Sequence, residues 1–358
     1  MFVILISKLL GFVYRMQFMR IAGEEIVGLY MTSYPAFIFF ISVIQLGIPI
    51  AVAKLVAHVH AKKKDEHISV IMKTAWRLSF FGILIFTPLV AWTIPFIAKV
   101  LLHNENLIYI LYVGLATVPI VIFSSLIKSY LQGLTKIGPT AWSQLLEQVV
   151  RIVLIVTLLP YFLNPNEPAM TAAYAMGITA IGEVFSLLFL YYFYLKQKRI
   201  KRQKTNVPSY TKPIFRLALP SAGSKLFGTF TWFLEPIVFL KALTVSGITA
   251  GAATTLYGII SGVHIPLLLF PSFIPNALAI VLIPAVSSAV ASQNLSLLNQ
   301  RISMSLRLSS IVGCIAACFF FLHGDELTMQ LFHLQENRGQ ESPHRLGHRA
   351  GKMVHLCG

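Results

Sequence analysis

The sequence predicts an all-α, polytopic membrane protein. Of its 358 residues, 56% are hydrophobic and only 12% are charged, whereas roughly a quarter of the residues of soluble domains are charged. Apolar runs long enough for a membrane-spanning helix of about 20 residues recur along most of the chain. Short stretches near the N-terminus also return later in the same order, which indicates an internal duplication.

Nine apolar segments qualify as membrane-spanning helices. The second and the eighth are long and contain proline, so we expect kinks in both. The first segment lacks a preceding basic stretch and a small-residue cleavage site, so we interpret it as a retained helix. The nine segments are residues 1–21, 27–57, 74–102, 107–132, 139–163, 169–195, 213–240, 251–288 and 303–322.

The basic residues predict the orientation of these helices. With a cytoplasmic N-terminus, four segments face the cytoplasm and together hold eighteen Lys and Arg residues, namely 54–77, 128–136, 196–216 and 301–307. The connections on the other side hold only Lys99 and Lys241. Cytoplasmic loops are enriched in Lys and Arg, so we expect a multi-pass protein of the cell membrane with its N-terminus inside.

The duplicated motifs predict two parallel helical lobes. SKLLG at 7–11 returns as SKLFG at 224–228, GLY at 28–30 as TLY at 255–257, and IP at 48–49 as IP at 283–284. An even number of spans separates the copies, so an axis along the membrane normal relates them, as in one class of transporters. We expect a first six-helix lobe at 1–195, a basic cytoplasmic linker at 196–212, an incomplete second lobe of about three helices at 213–335, and an atypical, disordered tail at 336–358.

Two arginines on the first helix are candidates for substrate binding. A charge near the middle of a span costs roughly 2.5–3.5 kcal/mol, so it faces a cavity or a partner by default. Lys8, Gly11 and Arg15 fall on one helical stripe, and Arg20 is rotated from it by roughly 140°. For both arginines an anion-binding role and a structural pair with a carboxylate stay open. Lys225 is the counterpart of Lys8 and we expect it to reach the membrane surface.

Four further ionisable residues lie within predicted spans. Glu147 and Arg151 are four residues apart, with the acid first, which favours a structural pair within one helix. Glu183 is either an ion site or a buried partner. Glu235 precedes Pro236, whose ring frees a backbone carbonyl, so we consider it an ion-coupling candidate together with Glu183.

The segments SKLLGFVYR, QLGIPIAVAKLVA and GPTAWSQLLEQVVRI resemble the stage V sporulation protein B group of polysaccharide transporters. This group belongs to the multidrug, oligosaccharidyl-lipid and polysaccharide exporter superfamily, which includes the lipid II flippases. The resemblance covers residues 1 to about 335. It implies two six-helix lobes around a central cavity, an undecaprenyl-linked saccharide as substrate, and transport for the spore cortex. It also implies that arginines on the first helix, here Arg15 and Arg20, line the cavity.

The sequence therefore predicts a flippase that acts by alternating access among membrane lipids, with a coupling ion possible. Two other functions stay open: a cation-coupled multidrug antiporter on the same scaffold, and a membrane scaffold that transports nothing. No phosphate-binding loop, Ser-His-Asp arrangement or two-cysteine metal pattern is present, so we expect no catalytic residue, metal or cofactor, and no nucleic acid partner. Compared with the family, the chain is expected to be truncated at its C-terminus.

Overall fold

The computed structural model describes residues 2–164, 166–198, 209–272, 275 and 295–332. Every regular element among them is helical, in agreement with the predicted all-α class. The α-helices are α1 Phe2–Gln45, α2 Ile48–Ala61, α3 Glu66–Phe96, α4 Leu107–Gly133, α5 Ile137–Thr157, α6 Pro168–Lys198, α7 Thr211–Val245, α8 Ala250–Ile259, α9 Ile265–Leu269 and α10 Leu295–Phe332. Short π-helical turns follow α3 and α8, and 3-10 turns follow α5 and α9.

The element α1 is folded back on itself at Gly23. Gly23 has φ 79° and ψ 174°, a conformation that is available to glycine and costly for other residues. In a straight helix, Phe18 and Tyr30 would be roughly 18 Å apart along the axis. Their ring centroids are instead 5.1 Å apart, so residues 2–22 and 24–45 form an antiparallel hairpin of two helices.

By length and apolar composition, seven helices in the described part of the chain could cross a membrane. The prediction of nine differs from this for two reasons. The first predicted span, 1–21, and most of the second, 27–57, fall in α1, which counts as one apolar helix of 40 residues. The rest of 27–57 belongs to the separate helix α2, because Leu46 and Gly47 adopt left-handed backbone conformations that end α1. The fifth, α5, is not among the seven, because Gln144, Glu147, Gln148 and Arg151 lower its hydropathy. The chain is a multi-pass membrane protein.

The predicted eighth span is interrupted close to its first proline, Pro266. A π-helical turn at Ile260–His264 separates α8 from α9, and Pro266 lies in the first turn of α9. Proline cannot donate a backbone hydrogen bond and its ring displaces the preceding turn. The rest of the predicted eighth span, beyond residue 275, lies outside the described residues, as do linker residues 199–208 and the 336–358 tail. The division into two lobes stays a prediction.

Three glycines mark close approaches between the segment 24–47 and the later helices α7 and α8. A Cβ atom built on Gly258 of α8 would collide with the Gly28 backbone, and one built on Gly28 would lie 2.7 Å from the Thr254 carbonyl oxygen. At the other end of residues 24–45, a Cβ on Gly47 would lie 2.5 Å from the Ala218 carbonyl oxygen of α7. We call these the Gly28 contact and the Gly47 contact.

We expect Gly258→Ala to destabilise the protein by about 1–3 kcal/mol, because the added methyl group overpacks a backbone-to-backbone contact. Thermal unfolding of the purified protein in detergent would measure this. Gly228→Ala on α7 is the matched control, since a Cβ there meets nothing within 4 Å. Equal melting temperatures for the two variants would contradict the close packing at Gly28.

Candidate functional site

The main cavity has a volume of about 610 Å³. It lies between the α1 hairpin and α5 on one side and α7, α8 and α9 on the other. Its polar and aromatic lining comprises Lys8, Phe12, Tyr14, Arg15, Tyr30, Tyr34, Gln148, Arg151, Trp232, Glu235, Tyr257, Ser261 and Ser272. Glu147 neutralises Arg151, which leaves Lys8 and Arg15 as cations against the one carboxylate of Glu235. The wall therefore keeps a positive charge and favours an anionic ligand.

Arg15 lines this cavity about two helical turns from Lys8, as the predicted stripe requires. Its Nη1 atom donates a hydrogen bond to the Ser261 carbonyl oxygen at 3.2 Å. In the part of the chain that the structure describes, no carboxylate oxygen lies within 4.0 Å of the guanidinium. The guanidinium has five N–H donors, so this one bond leaves the group able to hold an anion.

The π-helical turn explains why the Ser261 carbonyl is available. In an α-helix this carbonyl would accept the N–H of Ile265, but that N–H donates to the Ile260 oxygen instead. The next residue, Pro266, has no N–H to offer. The carbonyl is thus freed from its helical donors, and Arg15 satisfies it across the cavity.

Arg20 lies elsewhere. Its Nε donates to the Leu331 carbonyl oxygen at 2.7 Å and its Nη2 to that of Gln330 at 2.9 Å. Carbonyls in the last turn of a helix have no intrahelical donors, so Arg20 caps the C-terminal end of α10. Arg20 is not among the described lining residues of the main cavity, and its role in substrate binding stays a prediction.

Glu235 lies on α7 and is exposed to the main cavity. The Tyr257 hydroxyl donates to its Oε1 at 3.3 Å. No cationic group lies within 4.0 Å of it among the described residues. Its carboxylate therefore can meet a cation or a proton that enters the cavity.

A second, smaller cavity of about 460 Å³ adjoins the main one between α1, α4, α5 and α6. We call it the side cavity. It shares five lining residues with the main cavity: Lys8, Gly11, Tyr34, Gln148 and Arg151. The two spaces are therefore neighbours across the first helix, with Lys8 at their junction.

A buried network of four charges forms part of the side-cavity wall. Arg151 Nη2 lies 2.5 Å from Glu147 Oε1, four residues earlier on α5. Lys128 of α4 lies 3.3 Å from Glu183 Oε1 of α6 and 3.8 Å from Glu147 Oε2. The two carboxylates and the two cations balance each other, so the network is neutral overall.

Gly182 makes room for this network. A Cβ atom on Gly182 of α6 would lie 2.8 Å from Arg151 Cγ and 3.3 Å from its Nε. Sequence reasoning identifies Glu183 as a candidate but not the packing role of Gly182. Lys128 was likewise missed as a site residue, because it was counted among the basic residues near the membrane surface. Its buried carboxylate partners belong to other helices.

Polar bonds accompany the Gly47 contact. Lys225 of α7 donates to Gln45 Oε1 at 2.7 Å, and Gln45 Nε2 donates to Ser125 Oγ of α4 at 2.5 Å. Lys225 thus ties α7 to the end of α1, whereas we expected it to extend to the membrane surface. Close by, His67 Nδ1 and Tyr210 Oη are 2.6 Å apart.

Polar bonds also accompany the Gly28 contact. Asn104, in the connection before α4, donates through Nδ2 to Thr254 Oγ1 of α8 at 3.2 Å. Gly28 and Gly47 are nineteen residues apart, which is roughly 28 Å along a helix and close to the thickness of a bilayer core. The two contacts are therefore separated by about the thickness of a bilayer core, and Tyr30 and Tyr34, which line the main cavity, lie between them along α1.

A family model and several known proteins match most of this chain. The family model described as Polysaccharide biosynthesis protein matches residues 1–290. Stage V sporulation protein B of Bacillus subtilis (strain 168) is 34% identical over 334 residues, which cover 92% of this chain and 64% of that protein. Lipid II flippase MurJ of the same organism is 25% identical over 326 residues, covering 84% of this chain and 59% of that protein.

Solved structures show the same fold at low sequence identity. The inward-facing conformation of a multidrug resistance MATE family transporter of the MOP superfamily matches with a TM-score of 0.65 at 18% identity, covering 91% of this chain and 72% of that one. A MOP superfamily transporter from Pyrococcus furiosus matches with a TM-score of 0.58, also at 18% identity, covering 94% and 73%. By its family match over residues 1–290, this chain belongs to the polysaccharide biosynthesis protein family.

Proposed function

We propose that this protein moves a lipid-linked saccharide across the cell membrane, with the diphosphate of the headgroup held in the main cavity. The observation that carries the proposal is the Arg15 guanidinium, which lines the cavity with no described carboxylate within 4.0 Å. A guanidinium can hold a phosphate through two parallel hydrogen bonds. Lys8, on the same stripe, adds a second cation for the second phosphate.

The relatives support the class of substrate. The family description names polysaccharide biosynthesis, and one relative is named a lipid II flippase. We therefore propose an undecaprenyl-linked saccharide as the cargo and membrane lipids as the surroundings. Similarity to Stage V sporulation protein B favours a precursor of the spore cortex. The chain spans 64% of that relative's length, so the cargo and role of the whole protein are part of the proposal.

We propose that the Gly28 and Gly47 contacts are the two gates of an alternating-access cycle. They lie at opposite ends of the segment 28–47, and they join this segment to α8 and α7, which belong to the predicted second lobe. Following the charge distribution, the Gly47 gate faces the cytoplasm and the Gly28 gate faces outside. Opening one gate while the other stays packed exposes the cavity to one side at a time.

Arg15 can couple headgroup binding to these gates. Without a ligand, its guanidinium holds the freed Ser261 carbonyl of the bent α8–α9 segment. A diphosphate held by both Nη groups competes with this carbonyl for Nη1, because an anion is a stronger acceptor than a neutral carbonyl. Binding therefore weakens the tie between α1 and α8, and α8 carries Gly258 of the outer gate.

A cation-coupled antiporter is the second candidate, and Glu235 is the observation that favours it. Its exposed carboxylate lies in the main cavity beside Tyr257. Glu183 is less suited to bind a free cation, since Lys128 already lies 3.3 Å from it. In a flippase, Glu235 would bind the coupling ion and not the cargo. An ion gradient or the membrane potential would then drive the cycle.

We expect Arg15→Ala to weaken binding of an undecaprenyl diphosphate-linked saccharide at least tenfold. The reason is the loss of charge-assisted hydrogen bonds, each worth about 1.5–3 kcal/mol. Affinity measured by native mass spectrometry of the protein in nanodiscs checks this. Arg77→Ala on α3 is the control, since it removes the same charge from an exposed residue outside both cavity linings. Equal affinities for the two variants would contradict the proposed diphosphate site.

We expect Lys225→Met to loosen the Gly47 gate, because it removes the bond to Gln45. The readout is labelling of Leu269→Cys, a cavity position, by a membrane-impermeant maleimide in vesicles, with the native cysteines replaced by serine. Labelling from the Gly47 side should become faster in Lys225→Met. Lys241→Met, near the opposite end of α7, should leave it unchanged. If Lys225→Met also leaves the rate unchanged, the Gly47 contact is not a gate.

We expect Glu235→Gln to keep headgroup binding intact, because the carboxylate repels phosphate and its removal leaves Arg15 in place. In the antiporter, the same variant would abolish cation-dependent dye efflux while Arg15→Ala would retain it. Parallel assays of lipid binding and dye efflux on both variants separate the two functions. Efflux that depends on Glu235, together with no binding of the lipid-linked saccharide, would favour the antiporter.

A further inference from the structure

The geometry points to the side cavity as the site that receives the sugar of the lipid-linked saccharide, while the diphosphate stays at Lys8 and Arg15. This inference rests on the proposed function. It assigns the side cavity to a neutral, hydroxyl-rich group and not to an ion.

The first support is position. The two cavities meet at Lys8, Gly11 and Gln148, which line both. Lys8 lies at the junction, and Arg15 lies seven residues further along α1, which is roughly 10 Å. A diphosphate held between these two cations therefore leaves the next group of the headgroup on the Lys8 side, beside the junction. Gly11 has no side chain there, and the space a Cβ would take is in ordinary contact distance of Gln148, at 3.9 Å. At the junction, α1 therefore presents no side chain at Gly11.

The second support is the size and polarity of the side cavity. Its volume of about 460 Å³ is within the range of about 300–1,000 Å³ typical of small-molecule sites. Twelve of its seventeen lining residues have polar side chains, which is costly inside a membrane protein unless the groups meet partners or a polar ligand. The hydrogen-bonding residues beyond the charged network are Ser7, Tyr34, Thr117, Ser125, Gln144, Gln148 and Thr179.

The third support is charge. Glu147 and Glu183 are already neutralised by Arg151 and Lys128. A cation that approached either carboxylate would be repelled by the paired cation, and an anion would meet the two carboxylates. A sugar hydroxyl avoids both penalties, because it can donate to a carboxylate and accept from a cation without carrying charge.

The fourth support is unmet hydrogen bonding at the junction. Gln148 Oε1 and Arg151 Nε are buried and have no hydrogen-bond partner among the described residues. Buried polar groups are normally paired. A hydroxyl group can donate to the first and accept from the second after a small rotation of these long side chains, so a sugar at the junction supplies what the protein leaves open.

The test compares two lipids on one variant. Gln144 lines the side cavity but not the main cavity, and its side chain is exposed. Gln144→Leu should therefore fold normally. We expect it to weaken binding of undecaprenyl diphosphate-linked saccharide by about three- to tenfold, the effect of losing one or two neutral hydrogen bonds. Binding of undecaprenyl diphosphate, which lacks the sugar, should be unchanged. Gln132→Leu, an exposed glutamine on α4 outside the lining, is the matched control.

A second variant approaches the cavity by filling it. Val121→Phe places a ring among the side-cavity residues and should lower affinity for the sugar-bearing lipid alone. Affinities for both lipids are measured in nanodiscs for Gln144→Leu and Val121→Phe. The sugar site is overturned if each variant lowers the two affinities equally, or if it lowers neither. The failure of the proposed function looks different, because wild-type protein would then bind neither lipid in an Arg15-dependent way.

Discussion

The rest of this structure depends on one constraint, the charge of Arg15 within an apolar hairpin. Among the described residues, no carboxylate oxygen lies within 4.0 Å of its guanidinium. Arg15 cannot be left in lipid, since a charge at that depth costs roughly 2.5–3.5 kcal/mol or more. The helices around it therefore leave a polar space of about 610 Å³. The bent α8–α9 segment turns a carbonyl towards it, because the π-helical turn and Pro266 remove that carbonyl's helical donors.

Close contacts between helices connect the two walls of this cavity. Gly28 and Gly258 bring two backbones together on one side, and Gly47 meets α7 on the other. Each contact is accompanied by only a few polar bonds, such as those of Lys225 and Asn104. Small residues let helices approach closely in membranes, where no hydrophobic effect drives them together. Such contacts can part and reform at a modest energetic cost, as an alternating-access cycle requires.

Sequence reasoning predicted those features that depend on local pattern. The helical class and the shared face of Lys8, Gly11 and Arg15 follow from composition and from the 3.6-residue period, and the structure places all three along the main cavity. Contacts between distant segments could not be read in the same way. Lys128 meets Glu183 because α4 packs on α6, and Arg20 reaches α10. Nothing in the spacing of these residues along the chain encodes those partners.

The most direct measurement is an experimental structure of the protein in nanodiscs with an undecaprenyl diphosphate-linked saccharide bound. Our account predicts phosphate density within hydrogen-bonding distance of the Arg15 guanidinium, with the Ser261 carbonyl no longer bonded to it. It would be contradicted by phosphate density remote from α1, or by Arg15 paired with a carboxylate such as Glu235 while the lipid is bound elsewhere.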